Sequence, residues 1–264
     1  MQDLPEFHHA PPSQRAPRLC VLIDADNVPA SYASSIFEEI ASLGEASVRR
    51  IYGDWSAQRL AGWAKRVAEL GLVADQQFSN TKGKNASDIG LVIAAMDFLH
   101  SDLFDGFVLV SSDSDFTRLA ARIREQGLDV YGIGEQKTPE AFRKACKRFI
   151  YVENLGTAET SAPARPAGKE TERDVQKDPS PQPTNGSKQS PTAAIPIISN
   201  AMKAIGLEEE WYSLGQLGQF ITQANPDFDT RTYGSAKLSD LLLKTGRFQL
   251  QRGEGNQWMV RDLA

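Results

Sequence analysis

The stretch Leu19-Cys-Val-Leu-Ile-Asp-Ala-Asp-Asn27 decides how the rest of the chain is read. Five apolar residues rich in β-formers run without a polar break and then meet the carboxylates of Asp24 and Asp26. So continuous a run is too apolar for a strand with one wet face. It predicts a central, parallel strand covered on both sides. The carboxyl end of such a strand is where an open α/β sheet places its chemistry.

Downstream the pattern alternates. Helical periodicity covers 31–43, with a stop at Gly44, and β-forming runs follow at 48–52 and 72–78 on either side of a helix over 56–70. Residues 87–99 form a nearly all-apolar helix, expected to be buried. Strands are predicted at 107–110, 130–133 and 149–152, with helices over 115–126 and from Pro139 between them. Repeated β-α units require right-handed crossovers and a parallel sheet with helices on both faces, a Rossmann-like α/β fold.

With 264 residues, 41% hydrophobic and 24% charged, the chain has room for a large core and a small one. Residues 156–192 carry six prolines and one large apolar residue, Val175, so they read as a disordered linker. Residues 1–17 read as a loose arm. That leaves a body over 18–155 and a tail unit over 193–264. The two cysteines, Cys20 and Cys146, have neither a CxxC partner nor a nearby histidine, which excludes a disulfide framework and a structural zinc. The amino terminus shows no secretory pattern, and the expectation is a cytoplasmic protein without a membrane span. Net charge is −5, and the tail balances seven basic against eight acidic groups. Neither unit attracts nucleic acid by bulk charge, so any such contact must be local.

Carboxylates gather where the strands end. The run after the first strand holds Asp24, Asp26 and Asn27; the run after Val110 is Ser-Ser-Asp113-Ser-Asp115; Asp88 opens the apolar helix behind the polar loop 79–85 with Lys82 and Lys84. Neighbouring strands lie about 5 Å apart, so these acids would repel unless a divalent, oxygen-seeking cation such as Mg2+ or Mn2+ joined them. The plainer alternatives are a helix cap or dipole partner at Asp88 or Asp115 and a turn former at Asp26. No Ser-His or Cys-His pair is available for covalent catalysis. Lys82 and Lys84 beside Asp88, Arg118 and Arg122 four apart, and the group Arg143, Lys144, Lys147 and Arg148 are either phosphate contacts or plainly solvated charge.

Leu22-Ile-Asp24-Ala-Asp-Asn27, Lys84-Asn-Ala-Ser-Asp88 and Val110-Ser-Ser-Asp113-Ser-Asp115-Phe116, in that order, resemble the NYN domain of the PIN-like nuclease superfamily. The resemblance implies a PIN-like parallel sheet, an acidic Mg2+ or Mn2+ site and hydrolysis of RNA phosphodiesters. By motif, Asp24, Asp88, Asp113 and Asp115 would bind metal, and Asn27 would orient the phosphate or a bound water. In the tail, helical patterns over 213–221 and 233–243 precede alternating runs at 248–251 and 257–260 around Gly253-Glu-Gly255, a hairpin signal. Leu214-Gly-Gln-Leu-Gly218, Phe228-Asp-Thr-Arg231-Thr-Tyr233-Gly234 and Lys237-Leu-Ser-Asp-Leu241 resemble the LOTUS (OST-HTH) winged-helix module. That resemblance implies binding of single-stranded or structured RNA, or of a protein partner, with Arg231, Tyr233 and Lys237 as candidate RNA contacts. The expectation is a metal-dependent endoribonuclease with a tethered RNA-binding tail. Two alternatives stand beside it: a non-catalytic RNA-binding adaptor, and a haloacid-dehalogenase-like phosphatase suggested by Asp24-Ala-Asp26-Asn-Val28.

Overall fold

A computed structural model describes residues 15–56, 58–77, 86–156, 188–206 and 211–264. Most of the expected arm and linker, together with Lys82 and Lys84, lie outside these residues. The body runs β1 (Arg18–Asp24), α1 (Ala33–Leu43), β2 (Glu45–Gly53), α2 (Ala61–Glu69), β3 (Val73–Gln76), α3 (Ala86–Leu99), β4 (Gly106–Val110), α4 (Thr117–Glu125), β5 (Asp129–Gly134), α5 (Glu140–Ala145) and β6 (Arg148–Tyr151). Its strands form one parallel sheet in the order β3-β2-β1-β4-β5-β6. The chain builds outward from β1 to β3 and then returns to the other flank of β1. The strand order therefore reverses between β1 and β4, which opens a crevice at their carboxyl ends.

The unbroken apolar run of β1 is explained by the two layers. Leu19, Val21 and Ile23 pack with Ile36, Ile40 and Trp63 on one face, while Cys20 and Leu22 pack with Leu91, Leu119 and Phe142 on the other. Both cysteines are buried free thiols whose pKa burial pushes up to about 12, which leaves them inert.

The apolar helix α3 departs from expectation. Leu91, Ala95 and Leu99 face the sheet, but Ile89 and Ile93 are 62% and 58% exposed. The sheet covers one side of this helix, and its composition does not change on the other. Among the described residues no helix is long and apolar enough to cross a membrane.

The tail holds α6 (Ile195–Ile205), β7 (Tyr212–Ser213), α7 (Leu214–Ala224), α8 (Leu238–Thr245), β8 (Phe248–Arg252) and β9 (Trp258–Asp262), with an antiparallel sheet ordered β7-β9-β8. Helices and hairpin share a core of Ile198, Met202, Leu217, Ile221, Leu241 and Val260. Two expectations need correction. Helix α6 is not in the sequence reading, although proline at its first turn is a start signal. The expected helix from Tyr233 begins only at Leu238, because Gly234 turns the chain left-handed (φ +70°) and closes a separate 3-10 turn over Thr230–Tyr233. Gln189 N–H donates to the Thr232 carbonyl (2.9 Å), so ordered contacts begin before residue 193.

The tail docks on the outer edge of the body. The Pro226 carbonyl accepts from Phe149 N–H of edge strand β6 at 2.8 Å. Asp227 accepts from Tyr151 Oη at 2.8 Å and is paired with Arg143. Arg231 bridges Glu39 on α1 (2.9 Å) and Asp229 (2.7 Å), and Asn154 donates to Thr232 Oγ1 at 2.8 Å. Removing Arg231 would leave the largely buried Asp229 carboxylate without its cation and Glu39 with Arg148 as its remaining partner. Arg231→Ala is therefore expected to destabilise the docked arrangement by about 2 kcal/mol. Small-angle scattering should show a larger radius of gyration for this variant; an unchanged profile would mean that the ion pair does not hold the units together.

Candidate active site

Site geometry begins with register. Ile23 of β1 pairs with Val110 of β4, so the next residues, Asp24 and Ser111, sit side by side at the switch point. Asp24 is only 1% exposed. Its Oδ2 accepts from Ser111 Oγ at 2.9 Å and from Asn27 Nδ2 at 2.6 Å, and its Oδ1 accepts from the Asp26 amide at 3.2 Å. Burial raises the Asp24 pKa above the usual carboxylate value, and these hydrogen bonds oppose that rise.

Ser111 links the two strand ends. While its hydroxyl donates to Asp24, it accepts from the Asp113 amide at 3.1 Å. Asp113 Oδ1 in turn accepts from the Asp115 amide at 2.9 Å and caps the 3-10 turn Ser114–Phe116. The cap is thus Asp113, while Asp115, for which a cap or dipole partner is the plainer alternative, sits inside the first turn. Close packing steadies the loop from below: a Cβ on Gly134 would fall 2.5 Å from the Ser111 carbonyl. On the β1 side, the buried Trp63 indole donates to the Val28 carbonyl at 2.7 Å, and Arg59 pairs with Asp26 at 2.9 Å.

Asp88, in the first turn of α3, completes the cluster. Its pKa is raised to about 6, first by burial and then by the charges of Asp24, Asp113, Asp115 and Asp26. The acids brought together from three separate stretches of sequence therefore feel one another. Their donor chemistry fits a hard cation: every candidate ligand is a carboxylate oxygen, and negative charge is in excess. Even so, among the described residues no group of three or more His, Cys, Asp or Glu side chains forms a ready-made metal shell.

The basic candidates divide. Arg118 and Arg122 are exposed on α4 and line, with Val92, Met96 and Asp115, a groove of about 620 Å3 that adjoins the acids. Arg122 also pairs with Glu125 (3.1 Å). The group expected as a stripe on and after α5 is neutralised: Arg143 by Asp227, Lys144 by Glu140 (2.6 Å), Lys147 by Asp129 (2.6 Å) and Arg148 by Glu39 (3.3 Å). In the tail, Arg231 is held in the interdomain ion pair. Tyr233 is buried with its ring 5.8 Å from Phe228. Lys237 is exposed just before α8. Sequence reasoning gives Ser111 no part in the acidic site, and it misses Arg59, whose separation from Asp26 leaves no local signal.

Family comparisons agree with this arrangement. The NYN domain model matches residues 18–153, and the OST-HTH/LOTUS domain model matches residues 187–260. Among solved structures, a protein of unknown function from Vibrio parahaemolyticus is 17% identical with a TM-score of 0.46. It covers 55% of this chain and 98% of its own. An uncharacterised protein from Nitrosomonas europaea is 28% identical with a TM-score of 0.24, covering 34% of this chain and 91% of its own. No curated protein matches.

The raised Asp88 pKa has a stability consequence in the metal-free protein. Between the ordinary value of 3.8 and about 6 the folded state binds more protons than the unfolded one, so stability falls as pH rises through this window. Asp88→Asn removes that penalty. The variant should melt higher than the parent at pH 7.5 by about 1 kcal/mol, a figure discounted for partial exposure, with the gain vanishing as pH approaches 4. A parent and variant that keep equal melting temperatures across this range would contradict the clustering of the acids.

Proposed function

Because this chain belongs to the NYN domain family and carries an OST-HTH/LOTUS domain behind it, we propose that it is a metal-dependent endoribonuclease with an RNA-binding tail. The two domains together place it among RNA-associated, nuclease-like proteins. The observation that carries the finer reading is the geometry at the switch point, where Asp24 lies beside Ser111 and Ser111 links it to the turn that holds Asp113 and Asp115.

Asp24, Asp88, Asp113 and Asp115 would hold Mg2+ or Mn2+. Such an ion, when bound, lowers the pKa of water and neutralises charge on a phosphate. The chain's own residues prepare the site. Ser111 and Asn27 aim the Asp24 carboxylate, Asp113 closes the turn that carries Asp115, and Arg118 supplies positive charge beside the acids. Oriented outer partners of this kind support ligand geometry in metal sites. Family membership leaves the dehalogenase-like reading without support, and Asp26, its required acid, is paired with Arg59. The adaptor reading draws on one observation: both Asp24 oxygens already have protein donors.

Single-stranded RNA incubated with Mn2+ and the full chain should be cleaved. Asp24→Asn and Asp113→Asn should abolish cleavage on a denaturing gel while the fold persists by circular dichroism. Ser111→Ala should lower the rate by about 10- to 100-fold. Intact RNA after long incubation with the parent protein would leave the adaptor.

A further inference from the structure

Two cations of the tail are paired with carboxylates. Arg231 is held by Glu39 and Asp229, Arg247 by Asp262 at 2.7 Å, and the Lys244 ammonium donates to the Gly234 carbonyl at 2.6 Å. The β8–β9 ribbon is different. Arg252 and Trp258 stand opposite each other at its tip, and the guanidinium lies over the indole, 4.0 Å from the ring centre. Arg252 has no carboxylate partner among the described residues, and its Nη1 donates to the Asn256 carbonyl at 2.5 Å, which fixes the stacked pose.

Alternation along the ribbon sharpens the point. Phe248, Leu250 and Arg252 share one side with Val260 and Trp258. Phe248 and Val260 are core, yet two residues further on Trp258 is 40% exposed. The core-facing side thus runs past the end of the core and finishes in a large aromatic surface with a fixed cation. Tryptophan and arginine planes are the surfaces on which unpaired bases stack, and the arginine also attracts the backbone.

We propose that the hairpin tip formed by Arg252 and Trp258 is a stacking site for an unpaired nucleobase of RNA. The inference rests on the RNA-associated reading of the tail and moves the contact from Arg231 and Tyr233, which are engaged elsewhere, to the wing. Inside a paired duplex each base face is covered by its stacked neighbours, so the site favours single strands.

The test uses the full chain with a chelator present, so that no strand is cut. Anisotropy of an end-labelled RNA gives the affinity, with tryptophan fluorescence read in parallel, for a single strand of roughly ten nucleotides and for a duplex of the same sequence. Trp258→Ala should weaken single-strand binding about tenfold and leave duplex binding alone. Trp258→Phe should keep most of the affinity while losing the fluorescence quench. Arg252→Ala should lower the slope of affinity against salt by about one. Should Trp258→Ala fail to fold, the other two variants carry the test. Parental affinity in all three variants, equal losses on duplex, or no RNA binding by the parent would overturn the proposal. So would a change in self-association by light scattering with RNA affinity intact, which would assign the tip to a second copy. Cleavage with Mn2+ is scored separately: its absence ends the nuclease reading and leaves the stacking site standing.

Discussion

The hydrogen bond from Ser111 to Asp24 joins the ends of two strands that the chain reaches by separate routes, and much of the site depends on it. A carboxylate so buried would favour its neutral form. Three donors reduce that preference, and all three come from the loops that follow β1 and β4. The same hydroxyl accepts the amide that begins the Asp113 turn, so one serine sets both acidic strand ends. Strand order supplies the location. Reversal between β1 and β4 leaves room above their ends, and only there does α3 bring Asp88 under the influence of the other acids.

Much of the body was legible because β1 declares itself twice, once by an apolar run that needs two covered faces and again by the aspartates that end it. The Asp24, Asp113, Asp115 and Asp88 motifs were local in sequence and could be quoted. The links between them were not. Ser111 gains its meaning from a neighbour 87 residues away, and Arg59 meets Asp26 through tertiary packing alone. Apolar content misled at α3, since it reports how many residues avoid water and not how many sides a sheet offers. In the tail, Arg231 and Tyr233 have the chemistry of RNA contacts, but the 3-10 turn that carries them faces the body.

Charge placement ties these results together. The chain is acidic overall, and among the described residues several arginines are used for docking and structural pairing. The charge that bears on the two sites is local: excess negative charge at the switch point, Arg118 beside it, and Arg252 on the wing. An acidic total is therefore compatible with a nucleic-acid partner, provided that contact relies on a few directed groups.

The Pro226 carbonyl meeting Phe149 N–H has a consequence for the sheet margin. β6 is the last strand, and an open margin presents unpaired backbone groups to which strands of other molecules can add. Proline has no N–H of its own, so this residue can accept the bond without continuing the ladder as a further strand would. The winged-helix unit thereby acts as a guard on the nuclease-like unit. A version cut short before it would carry a raw β margin and an inclination to associate edge to edge.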